Sequence, residues 1–202
     1  MRQLIFATNN KHKVTEVRAA LSSIDDIEIL TLADAGLQGE IPETAHTLHG
    51  NAHQKALWVW ERTHTDTFAD DTGLEVDALG GAPGVYSARY AGPHCSFDDN
   101  IDKLLANLHG KTNRKAHFRT VICLIESPTT HHPLPTTHYF EGRVDGHILT
   151  SPHSNGQGFG YDPLFMPLRF ALSFAEMPLE LKNTISHRAL AVKKLKDYLL
   201  NS

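Results

Sequence analysis

The amino-acid sequence predicts an α/β protein with a mixed central sheet flanked by helices. In its first half, short apolar strand patterns alternate with helices of 3.6-residue periodicity. In its second half, two longer strand patterns follow each other with no helix between them, which is typical of a meander. No internal repeat, low-complexity tract or Ser/Gly linker divides the chain. We therefore expect one domain over residues 1–202 with parallel and antiparallel strands in the same sheet.

The elements of the first half follow from the spacing of apolar residues. Strands are predicted over 3–8 (QLIFAT), 27–32 (IEILTL) and 68–71 (FADD), the last leading into two aspartates. Helices are predicted over 10–22 and 46–60. Their apolar residues recur at helical spacing, so one face of each helix is expected to be buried. These faces contain Val14, Val17 and Leu21, and then Leu48, Ala52, Ala56 and Val59.

The second half opens with a helix over 96–108, where Ser96 and Asp99 have the spacing of a capping box. Strands are predicted over 118–127 and 137–148, joined by an exposed Pro/His/Thr loop at 128–137. The last helix is expected to begin near Ser186. The residues predicted to be buried on these two helices are Ile101, Leu104, Leu105 and Leu108, and then Ala189, Val192, Leu195 and Leu199.

Composition excludes several classes of protein. The 202 residues are 41% hydrophobic and 21% charged, and 19 Lys and Arg against 23 Asp and Glu give a net charge of −4. This balance offers no general attraction to nucleic acid or to an anionic membrane. Cys95 and Cys123 are too few for a disulfide framework. The first apolar run is too short for a signal peptide and no segment is long enough to span a bilayer, so we expect a soluble cytoplasmic protein.

The sharpest local pattern is Asp70-Asp71-Thr72-Gly73. Adjacent strand residues point to opposite sides, so one carboxylate faces a ligand and the other supports it. A buried aspartate requires a metal or a strong partner. The haloacid-dehalogenase motif needs a spacer between its two aspartates, and none is present here. The pattern therefore favours a magnesium site with a polarised water over an aspartyl-phosphate intermediate.

A second polar group precedes this pair. Asn51 and Lys55 lie four residues apart on one face of a predicted helix, and Glu43 lies just before it. These side chains suit a hydrated magnesium ion with its phosphate ligand, and equally a helix cap with a solvated stripe. The same segment holds His46, His49 and His53. Because the glutamate of a zinc-protease helix is missing, we interpret them as surface histidines.

Three further segments suit a nucleotide, each with a structural alternative. The strand-to-helix turn at 7–13 (ATNNKHK) offers backbone N–H groups and lysines to an anion, although no P-loop is present, and a capped surface helix is the alternative. The glycine-rich 156–165 (GQGFGYDPLF) allows Phe159 or Tyr161 to stack on a base, or forms a tight turn. The predicted helix start near Ser186 carries donors that could bind phosphate or a carbonyl oxygen, namely Lys182, Ser186, His187 and Arg188. The alternative is a capped helix with solvated charges.

Together these segments resemble the inosine/xanthosine triphosphate pyrophosphatase family, which removes non-standard purine nucleotides. The resemblance spans Thr8 to Arg188, and its most specific segments are 68–92 (FADDTGLEVDALGGAPGVYSARYAG) and 158–165 (GFGYDPLF). Three positions depart from the family pattern: Ala45 replaces a usual glycine, Gly50 a usual glutamate and Ala189 a frequent glycine.

The resemblance implies an elongated fold with two lobes, an active-site cleft between them and a homodimeric assembly. It implies hydrolysis of ITP, dITP and XTP to the monophosphate and pyrophosphate with Mg²⁺. Asp71 matches the proton acceptor and metal ligand, Glu43 a second metal ligand and Asp70 a supporting neighbour. The matched substrate-binding residues are Thr8, Asn9, Asn10, Lys11, His12, Lys13, Thr72, Phe159, Gly160, Tyr161, Asp162, Lys182, His187 and Arg188.

Two other functions remain open at this point. One is a related pyrophosphatase that acts on pyrimidine or methylated nucleotides, which a panel of substrates would separate. The other is a nucleotide sensor that binds without turnover, although retention of both Asp70 and Asp71 argues against it. An assay of pyrophosphate release decides between the sensor and an enzyme.

Overall fold

The computed structural model describes residues 1–130, 133–156 and 158–201, and of His12 the backbone alone. Over these residues the chain forms seven strands and five α-helices. The strands are β1 (Arg2–Phe6), β2 (Ile27–Leu30), β3 (Thr67–Val76), β4 (Pro83–Gly84), β5 (Lys115–Glu126), β6 (Thr136–Ile148) and β7 (Phe165–Pro167). The helices are α1 (Lys11–Leu21), α2 (Leu48–Thr63), α3 (Phe97–Asn107), α4 (Leu179–Ile185) and α5 (His187–Leu199).

The strands join in one mixed sheet, which confirms the predicted α/β class. Its order is β2-β1-β3-β5-β6-β7, and β4 pairs with β3. β1 runs parallel to β2 and β3, as expected where a helix connects successive strands. β4 runs antiparallel to β3, and β7 antiparallel to β6. The parallel pairing places the first residues of β3 beside β1, with Phe6 opposite Phe68.

β3 is longer than the sequence analysis predicted, and this corrects the position of the aspartate pair. The predicted strand ended at Asp71, whereas β3 continues to Val76. Leu74 and Val76 are buried and alternate with a more exposed Glu75, so the residues after the aspartates also suit a pleated strand. Because Leu74 pairs with Gly84 in β4, this extension is hydrogen-bonded. The aspartates thus lie in the interior of a strand and not at its end.

The chain divides into two compact units, each with its own core. The first comprises residues 1–71, 121–141 and 191–202. In its core, the Phe6 and Phe68 rings stack at 4.5 Å between centroids, as the parallel pairing of their strands requires. The predicted apolar faces of α1 and α5 complete this core, with Val14, Val17, Leu21, Val192, Leu195 and Leu199 all buried.

The second unit comprises residues 72–120 and 142–190. The rings of Phe118, Phe165 and Phe174 form the centre of its core. α3 begins with the predicted capping box: the Ser96 hydroxyl accepts from the Asp99 backbone N–H, and the Asp99 carboxylate accepts from the Ser96 backbone N–H. The buried face of α3 contains Ile101 and Leu104, and Leu108 is buried just after the helix, whereas Leu105 is only partly buried and not buried as predicted.

Three short elements were not predicted, namely β4, β7 and α4. Each has seven residues or fewer, so it presents too little of a repeating pattern to be recognised. In the predicted loop at 128–137, residues 128–130 and 133–135 are exposed, and His131 and His132 lie outside the described residues. The loop ends earlier than predicted, because β6 begins at Thr136. No helix in the described part of the chain has the length and apolar character needed to cross a bilayer. The single domain over 1–202 stays a prediction.

Candidate functional site

The turn between β1 and α1 is organised by its own polar side chains. The Thr8 hydroxyl accepts a hydrogen bond from the Asn10 backbone N–H, and the Asn10 carboxamide oxygen accepts from the Lys13 backbone N–H, each at 3.2 Å. Asn9 donates to the Gly39 carbonyl at 3.3 Å. Lys11 is exposed, and the side chain of His12 lies outside the described part of the structure. The turn is therefore a capped helix start, which was the structural alternative, and it also exposes cationic and amide groups.

Lys13 connects this turn to the first aspartate of β3. Its ammonium lies 2.9 Å from Asp70 Oδ1. The Asp70 side chain is buried, so the ion pair compensates for burial of its charge. A residue of α1 thus neutralises one member of the aspartate pair.

Asp71 contacts α2 instead, because successive strand residues face opposite sides. Asn51 Nδ2 donates to Asp71 Oδ2 at 3.2 Å, and Lys55 Nζ lies 3.4 Å from Asp71 Oδ1. The same ammonium lies 2.6 Å from Glu43 Oε1. Asn51 and Lys55 are both buried. Asn51 and Lys55 therefore do not form a solvated stripe, and two carboxylates converge on one cation.

The electrostatics of this group favour a proton acceptor at Asp71. Burial raises the pKa of Asp71, and Glu43 and Asp70 raise it further, against the opposing effects of Lys55 and Asn51. Burial alone would lower the pKa of Lys55, but the nearby Asp71, Asp70 and Glu43 carboxylates outweigh it and raise that pKa. Lys55 is thus held as an ammonium beside a carboxylate of increased basicity, a combination typical of catalytic sites.

The segment before α2 is fixed to the helix by polar contacts that the sequence analysis did not identify. The Thr47 hydroxyl caps α2 by accepting from the Gly50 backbone N–H at 3.0 Å. The Ala45 backbone N–H donates to Asn51 Oδ1 at 2.9 Å. Gln54 exchanges two hydrogen bonds with Thr44, each of 2.9 Å. Thr44 and Ala45, which directly follow Glu43, are therefore fixed to α2 through Gln54 and Asn51.

In the second unit, the glycine-rich segment forms a tight turn that exposes one aromatic ring. Gly158 and Gly160 have φ values of +87° and +60°, a region that favours glycine. The Asp162 carboxylate accepts from the Phe159 backbone N–H at 2.9 Å and from Lys182 Nζ at 2.5 Å. Phe159 is 44% exposed. Of the two aromatic residues considered for stacking, this one presents its ring to solvent.

Tyr161, the other aromatic residue, is buried in the core of the same unit. Its hydroxyl donates to the Ser87 carbonyl at 3.0 Å, and burial raises its pKa well above the ordinary value. Tyr161 therefore anchors the turn through its ring and hydroxyl.

Two cationic groups contact the exposed ring of Phe159. Lys182 Nζ lies 5.2 Å from the Phe159 centroid and Arg188 Cζ 5.8 Å from it, both within the range of a cation–π contact. The neighbouring His187 stacks on Phe118, with centroids 4.6 Å apart and planes 15° apart. The sequence analysis placed these residues at one helix start. In the structure, Lys182 belongs to α4, whereas His187 and Arg188 are the first residues of α5.

Two contacts in this unit were missed by the sequence analysis. The Thr72 hydroxyl lies 2.7 Å from that of Thr120 in β5, which gives the predicted site residue Thr72 a side-chain partner. Phe97, the first residue of α3, lies with its ring centroid 6.5 Å from that of Phe159. Neither partner stands in a recognisable motif, because both contacts join segments that are distant in sequence.

The described residues contain no group of three or more His, Cys, Asp or Glu side chains arranged to hold a metal ion. Of the three histidines interpreted as surface residues, His46 is exposed and His49 and His53 are half-buried. His49 pairs with Glu141, Nε2 to Oε1, at 3.0 Å.

Residues 4–198 match the model of the Ham1 family. The chain belongs to the Ham1 family. A dITP/XTP pyrophosphatase of Porphyromonas gingivalis is 52% identical over 99% of this chain and 98% of its own length. A dITP/XTP pyrophosphatase of Flavobacterium psychrophilum is 48% identical over 98% of this chain and its full length. The family recognised from the five sequence segments is therefore confirmed.

Solved structures of Ham1 proteins have the same fold. The Ham1 protein of Staphylococcus aureus superimposes with a TM-score of 0.89 at 34% identity, and 99% of each chain is covered. A HAM1 protein of Coxiella burnetii superimposes with a TM-score of 0.91 at 33% identity over the whole of both chains. The match over nearly the full length of this chain includes every segment that carries a candidate site residue.

Proposed function

We propose that this chain is a nucleoside-triphosphate pyrophosphatase that hydrolyses ITP, dITP and XTP to the monophosphate and pyrophosphate. The names of its relatives support the substrate class. The observation that carries the reaction is the environment of Asp71: a buried carboxylate of raised pKa that contacts Asn51 and Lys55, with Glu43 on the same ammonium. Its activity removes non-standard purine nucleotides before they enter DNA or RNA.

Asp71 serves as the proton acceptor for the attacking water. Its raised pKa increases its basicity, and an accepted proton at the Asp71 carboxylate relieves the repulsion by Glu43 and Asp70. The water attacks the α-phosphorus, the bond to the bridging oxygen breaks, and pyrophosphate leaves with its electron pair. Lys55 and Lys13 supply positive charge beside the aspartates. Positioning and charge stabilisation supply most of the catalysis in phosphoryl transfer.

The donor set fits Mg²⁺ as the cofactor. Glu43 and Asp71 offer hard carboxylate oxygens that already converge on one cation, the Lys55 ammonium. Magnesium keeps several waters and commonly takes only one or two protein carboxylates together with substrate phosphates, so two carboxylates are sufficient. When bound, the ion polarises water and neutralises phosphate charge. Glu43 and Asp71 are the residues that would hold it.

The glycine-rich turn and the start of α5 offer residues for the base. Hypoxanthine and xanthine carry an acceptor oxygen at C6, whereas adenine carries an amino donor. The His187 imidazole and Arg188 guanidinium are donors, and the stacking of His187 on Phe118 fixes the plane of the imidazole. The exposed Phe159 ring offers a surface for stacking. Adenine in this environment leaves buried donors opposite its amino group, which disfavours ATP.

A panel of nucleoside triphosphates tests the proposed function. Release of pyrophosphate from ITP, XTP, dITP, GTP, ATP, dUTP and a methylated nucleotide is measured with Mg²⁺. We expect ITP, dITP and XTP to exceed ATP in kcat/KM. Equal rates on ATP and ITP contradict the substrate class, a preference for pyrimidine or methylated nucleotides identifies a related pyrophosphatase, and binding without release identifies a sensor.

We further propose a cytoplasmic homodimer. The family resemblance supports the dimer, and the free thiols of Cys95 and Cys123 are compatible with a reducing compartment. Light scattering coupled to size-exclusion chromatography is expected to give twice the mass of one chain. A monomer at micromolar concentration would contradict the dimer and leave the reaction unaffected.

A further inference from the structure

An exposed aromatic pair stands beside the residues assigned to the base. Phe97 is 57% exposed and Phe159 44% exposed, and their ring centroids lie 6.5 Å apart with planes 47° apart. This spacing falls within the range at which aromatic rings attract each other. Large exposed apolar side chains are costly for a soluble protein when they adjoin one another, so an adjacent pair indicates a surface with a ligand.

Helix packing does not account for Phe97. The residue lies four positions before Ile101 and seven before Leu104, on the apolar face of α3 that is buried at both of those residues. Helical periodicity therefore predicts a buried side chain at 97. The helix start is secured without it, because the capping box uses the Ser96 hydroxyl and backbone and the Asp99 carboxylate. The ring extends past the core toward Phe159.

Phe159 is exposed and lies in a glycine turn. It stands between Gly158 and Gly160, both with positive φ, and its ring is contacted by the cations of Lys182 and Arg188 at 5.2 and 5.8 Å from the centroid. An exposed side chain in a glycine turn loses rotamer freedom when a base binds against it. A neighbouring ring that restricts it beforehand reduces that loss.

We propose that Phe97 is a positioning residue that holds the Phe159 ring ready to stack on the purine base. This inference rests on the proposed function, because the base is that of the nucleotide substrate. Phe97 acts through Phe159 and has no part in the chemistry at phosphorus, so it contributes to KM and not to kcat. Because any purine offers a flat face, its contribution is expected to be the same for ITP and XTP.

The test compares Phe97→Ala, Phe97→Leu and Phe97→Tyr with the unchanged protein. We expect Phe97→Ala to raise the KM for ITP and XTP by about three- to tenfold, the ratio that corresponds to one aromatic pair, with kcat unchanged. Phe97→Leu keeps apolar bulk without an aromatic face and is expected to behave like Phe97→Ala. Phe97→Tyr is expected to restore the KM. Leu168→Ala, at a 49% exposed position of the same unit, is the matched control.

A ligand without a base separates positioning from a structural effect. Inorganic tripolyphosphate carries the phosphate chain alone, so its inhibition constant is expected to be the same for Phe97→Ala and the unchanged protein. An unchanged KM in Phe97→Ala, full rescue by leucine, or an equal loss of tripolyphosphate binding would each overturn the proposal. Absence of pyrophosphate release from ITP by the unchanged protein is a different result, because it overturns the proposed function itself.

Discussion

Ala45 occupies the space that a side chain on Gly50 would need. A Cβ built on Gly50 lies 2.6 Å from the Ala45 Cβ, which is closer than two carbon atoms approach without one of them moving. These are two of the three positions at which the sequence departs from the family pattern. The departures are therefore coupled: the methyl group at 45 fits because residue 50 has no side chain. The coupling adjoins the site, since the Ala45 backbone N–H donates to Asn51 and Asn51 donates to Asp71.

This coupling predicts a non-additive pair of substitutions. Gly50→Ala alone is expected to destabilise the protein by about 1 kcal/mol, because the clash outweighs the gain in helix propensity. On an Ala45→Gly background the same change is expected to be neutral or stabilising by up to about 1 kcal/mol. Chemical denaturation of the four proteins measures the cycle. Additive free energies of unfolding would show that the two positions are independent.

Asp71→Asn removes the proposed base while keeping the shape of the side chain. We expect kcat for ITP to fall by about two orders of magnitude or more, the usual scale for a general base. Lys55 then keeps Glu43 as a partner at 2.6 Å, so the fold is expected to survive, and circular dichroism checks this. Near-unchanged turnover in a folded Asp71→Asn protein would remove Asp71 from its proposed role.

Metal dependence follows from the oxygen ligands. Removal of divalent ions with a chelator is expected to abolish pyrophosphate release, and added Mg²⁺ is expected to restore it, whereas Zn²⁺ is not. The control is the melting temperature of the chelated protein, which is expected to change little because Glu43 and Asp71 both have Lys55 as a partner. Full activity after exhaustive chelation would rule out the proposed mechanism.

Arg188→Ala tests how the base is selected. We expect the unchanged protein to prefer ITP over ATP by roughly 10² or more in kcat/KM, since a buried donor opposite an amino group costs about 3 kcal/mol. The substitution is expected to reduce ITP hydrolysis more than the slow ATP reaction, because only the C6 oxygen accepts from this donor. Rates on both nucleotides give the ratio, and a proportional loss on both would assign Arg188 to the phosphates or to the fold.

Acid stability is expected to depend on Glu126, which accepts from the Tyr198 hydroxyl at 2.6 Å and contacts Arg2 at 2.5 Å and His138 at 2.9 Å. Burial alone would raise the pKa of Glu126, but the bonds from Tyr198 and Arg2 outweigh it, so the pKa lies below its ordinary value. A depressed folded-state pKa contributes stability above the unfolded value of about 4.3 and loses it as the pH falls through the folded value.

Glu126→Gln is therefore expected to lower the melting temperature at neutral pH and to lose less stability than the unchanged protein as the pH falls from about 5, through the unfolded value of about 4.3, to below the folded value. Melting temperatures across this range measure the difference. Glu61→Gln, at an exposed position of α2, is the control and is expected to follow the unchanged protein. Parallel curves for Glu126→Gln and the unchanged protein would show that this carboxylate does not link folding to pH.

The sequence predicted the regular elements well where their patterns were long. The predicted faces of α1 and α2 are buried as their spacing indicated, and so are those of α3 and α5 except for Leu105 and Ala189, which are only partly buried. The opposite orientations of Asp70 and Asp71 follow from strand alternation. The end of β3 was placed too early because Thr72-Gly73 looks like a turn in isolation. Only the pairing with β4 reveals that the strand continues.

Contacts between distant segments were beyond the reach of local patterns. The restraint of Asn51 by the Ala45 backbone, the stacking of His187 on Phe118 and the approach of Phe97 to Phe159 each depend on tertiary packing. Tyr161 illustrates the same limit, since motif position alone did not distinguish its buried ring from the exposed ring two residues earlier.

The core of the first unit contains Leu4, Ile122 and Leu199 together. During synthesis, the β1 residues leave the ribosome long before their α5 partners have been translated, so this core cannot close before α5 has been made. Until then the nascent strands expose apolar surface, which is what makes incompletely folded chains prone to aggregation. A nonsense codon before α5 would consequently remove Ala191, Val192, Leu195 and Leu199 from the first core, although every proposed catalytic residue of that unit had already been made.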